Sequence, residues 1–422
     1  GEVAGPKVLS ASVPVCSRKA SSCSKALGME ADVPVAVLPR AREDTTYFYG
    51  IRGMTAILIM TFHCDVMIWF LPHRSIPHAY DVLTSWLRYG DFRIVPFFII
   101  SGYLLTLPAT RGAAWPLSRG LAGFFKRRVE RVVYPYYFAL ALSLSLFIVW
   151  RLYSGMPVHV GSLAVGLLAH ILLVHNLHPK TVLYINDVLW TVALECQCYV
   201  LMALAFLPLM RRSGAFAPLV AVGAAVAIGF GARAVFGDAL DATRPWFIVI
   251  FALGMAAAAL ENDAYPIFAR IERAVPWGTL WIVATVAGIA LTVSEGPDAP
   301  YWRCWPSVMV LGVAFAAFVI YVRGARRGAP RGLAAPIVRF LELPALGYLG
   351  RFSFSVYLTH FPIYRLLLAI VASRTDSVWI EGAFGYFVFT PICLAAAYAF
   401  HVRFERPFQK ASPALAPAIA VA

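Results

Sequence analysis

The sequence predicts an all-α, polytopic membrane protein with about ten transmembrane helices and one short re-entrant or interfacial helix. Three observations carry that expectation. Of the 422 residues, 60% are hydrophobic and 14% charged, where soluble domains carry about 25% charged residues. Mean hydropathy is +0.72, and apolar runs of about 20 residues, the length that crosses a hydrocarbon core of about 30 Å, recur along the whole chain. The basic residues fall in short clusters between those runs, as topology determinants do. A soluble α/β protein of this composition would be hard to keep monomeric in water. The net charge of +14 is dispersed rather than gathered in one field. It therefore suits anionic lipid heads or an anionic soluble substrate and does not suggest nucleic acid.

Residues 1–47 are polar, with scattered Ser, Pro and Lys and no signal-peptide pattern, and read as a cytosolic N-terminal tail. Helices are expected near 48–71, 90–108, 132–151, 187–208, 216–234, 245–260, 276–294, 306–323, 350–371 and 380–400. The run SLAVGLLAHILLVHNL at 162–177 is apolar but short, and reads as a re-entrant or interfacial helix or as an eleventh span. Charge decides between ten and eleven. The links 109–131 (Arg111, Arg119, Lys126, Arg127, Arg128, Arg131), 209–215 (Arg211, Arg212) and 324–349 (Arg326, Arg327, Arg331, Arg339) are basic, as is the tail with Arg403, Arg406 and Lys410. Ten spans put all four on the cytosolic side, with both termini cytoplasmic in a plasma-membrane protein, and leave the links 235–244, 295–305 and 372–379 opposite. The membrane domain runs over 48–408 and a short tail over 409–422. No internal repeat of the transporter kind is visible. The seven cysteines show neither metal-ligand spacing nor a disulfide framework, and only Cys16 and Cys23 resemble a pair.

The polar residues inside the apolar runs are the candidates for chemistry, because charge at membrane depth is costly. Arg52 and His63 lie on roughly one face of the first helix, about 16 Å apart. Arg52 reads either as a snorkelling side chain or as a functional cation. His63 reads either as a helix–helix hydrogen bond or as a general base. Asp65, two positions on, faces elsewhere and is secondary. Glu195 in LWTVALECQCYVLMAL needs a partner, for which Arg52, Arg128 or Arg131 are candidates. Trp190 reads as an interfacial anchor. Arg128 and Arg131 in FKRRVERVVYPYY, three apart on one helical face before Pro135, read either as ordinary topology charges or as an anion clamp. GYLGRFSFSVYLTHFPIY places Arg351 at the cytosolic end and His360 nine residues in, with Ser353, Ser355 and Tyr357 between and Pro362 just beyond. VPFFIISGYLLTLP supplies Ser101, Gly102 and Tyr103.

Taken in order, these pieces resemble the acyltransferase-3 family of membrane proteins over about 48–408. The resemblance is carried by Arg52 and His63 with ten residues between, and by Phe97, Phe98, Ser101, Gly102 and Leu104 for FF..SGFL. It continues with Arg128, Arg131 and Pro135 for the basic RxxR before proline, and with Trp190, Glu195 and Tyr199 for WSLxxExxFY. Gly350, Arg351, Ser353, Ser355, Tyr357, Leu358 and His360 match GRxSYSxYLxH, and RFERP at 403–407 is similar to the closing charged turn. Three positions depart from the pattern: Thr191 for serine, Cys198 for phenylalanine and Phe354 for tyrosine. No fused extracytoplasmic esterase-like domain is seen. The family implies transfer of an acyl group, usually acetyl, from acetyl-CoA or another acyl-CoA to a hydroxyl of a sugar, glycan or metabolite, with no metal. It implies His63 as the essential histidine and arginines around the donor.

The mechanism expected from these residues puts His63, Glu195, His360 and Arg52 at the chemistry. Arg127, Arg128, Arg131, Arg351, Ser101, Tyr103 and Tyr357 are expected along the donor. Glu195 or Asp65 would orient an imidazole, and His360, Arg52 or Tyr103 would face the oxyanion. An acyl-enzyme on His63, Ser101 or Tyr357 is the alternative chemistry. The rival functions are a transporter or flippase using Arg52, Glu195 and His360 as a relay, and a non-catalytic membrane receptor.

Overall fold

The computed structural model describes residues 46–71, 75–89, 91–110, 115, 117, 120–237, 241, 243–262, 264–300, 303–327 and 333–409. Of the expected tails at 1–47 and 409–422, residues 1–45 and 410–422 lie outside these residues, as do Cys16, Cys23 and the charges at 111, 119, 331 and 410. The described residues form helices and no strand. In order they are α1 (Tyr47–Trp69), α2 (His78–Thr84), α3 (Val95–Thr106), α4 (Gly120–Arg128), α5 (Tyr134–Tyr153), α6 (Val160–Ile171), α7 (Pro179–Val182), α8 (Trp190–Leu201), α9 (Leu207–Ser213) and α10 (Ala217–Phe236). There follow α11 (Trp246–Ala259), α12 (Pro266–Ala274), α13 (Trp277–Glu295), α14 (Trp305–Arg327), α15 (Ala334–Leu341), α16 (Pro344–Arg351), α17 (Ser353–Ala372), α18 (Val378–Ala383) and α19 (Thr390–Phe400).

Among the described residues, eight helical runs are long and apolar enough to cross a membrane. The ten expected segments map onto them with two differences. The segments at 187–208 and 216–234 share one run, Trp190–Val235. It is interrupted at Gly214, whose φ of +56° suits a residue without a Cβ, and α10 packs back against residues 202–206. The segment at 245–260 is the 14-residue α11, about 21 Å long and short of the hydrocarbon thickness. Protein surrounds it instead: twelve of its residues are buried, as expected of a helix that is apolar all round.

Proline explains where the long helices widen. Turns with i→i+5 spacing occupy Val129–Val133, Met202–Phe206, Phe384–Phe389 and His401–Glu405. Each ends two residues before a proline: Pro135, Pro208, Pro391 and Pro407. A proline has no N–H to give and its ring presses on the carbonyl four residues back. A wider turn moves that carbonyl away, so the helix continues instead of breaking.

The interior is built on α3 and α11, which run parallel. Phe98 meets Phe247 at 5.0 Å between ring centroids near one end, and the Tyr103 hydroxyl reaches Glu261 at the other. The backbones touch at Gly102 and Gly254. A Cβ at Gly102 would lie 2.1 Å from the Phe251 carbonyl oxygen, and one at Gly254 2.2 Å from that of Ile99. Helix α1 runs antiparallel to α3, with Phe48 against Tyr103, and packs on α16 and α17.

The expected short helix at 162–177 is α6, 12 residues long and about 18 Å. It descends along α5 until the Tyr136 and Tyr137 hydroxyls donate to the carbonyls of His170 and Ile171. The chain then reverses and climbs back. Tyr184 meets Phe147, Asn186 donates to Ser143, and Asp187 pairs with Arg365 at 2.7 Å. This is a re-entrant hairpin, not an eleventh span.

Candidate active site

His63 of α1 and His360 of α17 meet in the bundle: His360 Nε2 lies 3.0 Å from His63 Nδ1. The His360 Nδ1 lies 2.8 Å from the Val356 carbonyl one turn back. A carbonyl only accepts, so His360 carries its proton on Nδ1 and offers a lone pair at Nε2. His63 must then donate from Nδ1, which leaves the His63 Nε2 lone pair as the basic position of the pair. Phe361 closes on the His63 ring edge-on at 5.3 Å.

The position of His360 depends on a break two residues later. Pro362 cannot donate to the carbonyl of Leu358. Asn186, from the returning limb of the hairpin, donates to it from Nδ2 at 3.3 Å, and also to Ser143 Oγ at 2.9 Å. The same limb accepts the Tyr357 hydroxyl on the Val188 carbonyl at 2.7 Å, and Thr191 Oγ1 donates to Tyr357 at 2.6 Å. Tyr357 is thus engaged by its neighbours, with its ring 6.1 Å from that of His360.

Glu195 sits nearer the end of the bundle that holds Arg52. It accepts from Ser101 Oγ at 2.5 Å and from the Tyr199 hydroxyl at 2.6 Å. The Arg128 guanidinium lies over the Tyr199 ring at 5.8 Å. The charged groups acting on Arg52 are Arg131, Glu405 and Glu195. Those acting on Arg128 include Arg131, Glu195 and Arg127. Among the described residues, Arg52 Nε and Arg128 Nε are buried without a hydrogen-bond partner. Arg128 is the last residue of α4 and Arg131 stands in the wide turn that follows, so the two are not related by the simple helical spacing expected from sequence.

Other expected residues have other partners. Asp65 is fully buried and held by Arg88 at 3.2 Å and by the Tyr386 hydroxyl at 2.9 Å. Among the described residues, neither Asp65 nor Glu195 is hydrogen-bonded to an imidazole; His63 is paired with His360. Tyr103 is bound to Glu261, which pairs with Arg323 at 3.0 Å. Arg351 ends α16 with an exposed side chain, and Arg127 is half-buried. Trp190 is a correction: it is 3% exposed, packed on Phe247 and covered by the Arg244 guanidinium at 3.9 Å, and so is no interfacial anchor.

Two groups went unread in the sequence. Asn186 was signalled only by Pro362, which leaves an orphan carbonyl that some donor must take. Glu405 of RFERP is 2% exposed. It accepts from Ser355, from His401 Nδ1 at 2.8 Å and from Gln409 at 2.6 Å, tying the chain's last turn to α17.

The site is therefore layered: arginines and Glu405 at one end, Glu195 with Ser101 and Tyr199 above them, and the imidazole pair deeper still. No curated protein and no solved structure matches the chain. A family model described as an acyltransferase domain matches residues 46–401, all of the bundle just described but its last turns, which hold Glu405. The chain belongs to the acyltransferase-3 family and is an integral membrane acyltransferase that transfers groups other than aminoacyl groups.

Proposed function

We propose that the protein moves an acyl group, acetyl in the first instance, from acyl-CoA to a hydroxyl of a sugar, glycan or metabolite, with His63 as general base. The observation that carries this reading is the tautomer chain from the Val356 carbonyl through His360 to His63, which leaves His63 Nε2 with a lone pair. The acceptor hydroxyl gives its proton to that nitrogen as its oxygen attacks the thioester carbon. The C–S bond breaks, and the imidazolium returns the proton to the departing thiolate, so that CoA leaves as the thiol. His360 is a positioning residue that accepts from His63 Nδ1 and stabilises the imidazolium.

The donor's phosphates are assigned to the cytosolic end, where Arg52 Nε and Arg128 Nε are buried without partners and Arg131 and Arg127 add charge. Arg351, exposed at that end, is assigned to the outer reach of the same group. Ser101 and Tyr357 are assigned to the walls of the acyl arm's path, and Glu195 to balancing the arginines. Direct transfer is favoured over an acyl-enzyme. The Tyr357 hydroxyl donates to a backbone carbonyl, which is no base, and Ser101 Oγ donates to Glu195, a carboxylate and so a weaker class of base than the imidazole proposed to activate the acceptor.

His63→Gln is expected to lower transfer from acetyl-CoA by about 10²–10⁴-fold while donor binding survives, and Arg128→Gln with Arg131→Gln to weaken donor binding. Near-normal turnover by His63→Gln overturns the assignment. An unchanged donor affinity in the double variant overturns the clamp.

A further inference from the structure

The wide turn His401–Glu405 has two faces. Inward, Glu405 accepts from Ser355 and His401 and is one of the charged groups acting on Arg52. Outward, the same turn carries Phe404, and the turn after it carries Phe408. The Phe404 ring lies 4.8 Å from that of Phe138, and the Phe408 ring 5.2 Å from that of Tyr134. Both partners belong to the first turns of α5. The rings leave a space between them: Tyr134, Tyr137, Phe138 and Phe408 line a cavity of about 300 Å³. It is open outward, since Tyr134 and Phe138 are each 43% exposed.

The cleft lies between two helical runs that are long and apolar enough to cross a membrane, Gly120–Tyr153 and Val378–Phe408. The medium on its open side is therefore lipid. Both runs reach the cleft at an arginine-bearing end: Arg128 and Arg131 precede Tyr134, and Arg403 and Arg406 flank Phe404 and precede Phe408. That is the depth at which headgroups give way to chains. An aromatic belt at such a depth needs rings only one by one. Here four rings from two elements enclose a space, and a ring with nothing against its face forfeits dispersion contacts that an apolar chain would restore. Charge supplies the rest. Arg403 and Arg406 are exposed, and the Arg403 guanidinium lies 5.9 Å over the Phe404 ring. Among the described residues neither arginine enters an ion pair.

We propose that this cleft binds an anionic phospholipid of the adjoining leaflet, with one acyl chain against the four rings and the phosphate on Arg403 and Arg406. Because Phe404 and Glu405 are neighbours on one turn, the bound lipid also braces the turn that carries Glu405. The site does not rest on the acyl-transfer reading.

The test uses the purified full-length chain in detergent, stripped of lipid, and a phosphatidylglycerol carrying a diazirine in one acyl chain. After illumination and digestion, mass spectrometry is expected to find adducts on the peptides holding Tyr134–Phe138 and Phe404–Phe408, ahead of the other lipid-facing helices. Unlabelled phosphatidylglycerol should compete on the order of tenfold better than phosphatidylcholine, as two arginines near an anionic headgroup allow. Arg403→Gln with Arg406→Gln should bring the two competitors level; both side chains are exposed, so the fold does not depend on them. Phe138→Trp, which fills the cleft, should lower labelling there whichever lipid carries the diazirine. Phosphatidylglycerol should also raise the unfolding midpoint of the parent more than phosphatidylcholine does, and the double variant should lose that difference. Labelling spread evenly over the lipid-facing helices overturns the site, as does equal competition by the two lipids in the parent or a preference that survives the double substitution. Cross-links between two copies at Phe138 or Phe408, in a dimer that takes up no lipid there, identify a second copy as the occupant and overturn it too.

Discussion

Asn186→Leu combined with Pro362→Ala tests whether the hairpin sets the geometry of the histidine pair. Asn186 is fully buried and gives Nδ2 to the Leu358 carbonyl at 3.3 Å and to Ser143 at 2.9 Å, while its Oδ1 accepts from the Val188 amide at 3.3 Å. Leucine fills a similar volume but leaves the Leu358 carbonyl buried and unsatisfied, at a cost of about 1–3 kcal/mol. The α17 backbone then shifts at the turn that carries His360, and a misplacement of about 1 Å at a reacting group costs about 100-fold in rate. The fall is expected in kcat, with the donor KM little changed, because the arginine end is untouched. Pro362→Ala returns an N–H at the position that should bond Leu358, so in its presence Asn186→Leu should cost less by on the order of 1 kcal/mol. Recovery is partial, since Ser143 and Val188 still lose their partner. The assay is a four-protein cycle read by initial transfer rates at saturating donor and by thermal unfolding midpoints. Additive costs in both readouts, with no rescue by Pro362→Ala, would refute the reasoning.

Two further outcomes follow from the same geometry. A donor cut back to acetyl-pantetheine, which lacks the nucleotide phosphates, is expected to raise KM strongly while keeping most of kcat, and Arg128→Gln should leave its KM where it is; equal sensitivity of both donors to that substitution contradicts the phosphate assignment. Glu195→Gln keeps an oxygen for Ser101 and Tyr199 and is expected to change the unfolding midpoint little, whereas Glu195→Ala strands two buried hydroxyls and costs about 1–3 kcal/mol; indistinguishable midpoints for the two variants would show that these hydrogen bonds do not hold the helices together.

What was legible in the sequence was the part that repeats. Hydropathy located every long helix because each is a run of apolar residues, and it flagged 162–177 as too short because length alone sets that limit. The contact between His63 and His360 was not legible, since 297 positions separate them and no periodic pattern couples α1 to α17. The expected orienters, Glu195 and Asp65, were chosen for charge, yet the structure gives the imidazole a neutral partner, which avoids burying an ion beside it. Trp190 was misread because aromatic residues at a helix start commonly mark an interface, and the arginine that covers it stands 54 positions later in the chain. The wide turns were legible in principle: each announces itself by a proline two residues on, and the one at Val129–Val133 also changes the spacing of Arg128 and Arg131.

The separation between the two ends of the site bears on which donor can work. Arg52 and His63 stand on one helix, eleven residues and about 16 Å apart, with Glu195, Ser101 and Tyr199 between those levels. A compact activated acyl group, such as an acyl phosphate, would place its charge beside its reactive carbon and cannot touch both ends at once. A donor with phosphates at one end, a long flexible arm, and a thioester at the other can. In the proposed assignment the arm would stay extended. The arginines would hold the phosphates where charge is cheapest to keep, near the end of the bundle, while the apolar residues of α3, α8 and α17 would disfavour the donor's charge above them. The uncharged thioester is the part of such a donor that can reach the imidazole without that penalty. With His63 as the proposed base, neutral in the tautomer set by Val356, proton transfer would begin from an uncharged state, and the ion formed at depth would be the short-lived imidazolium beside His360.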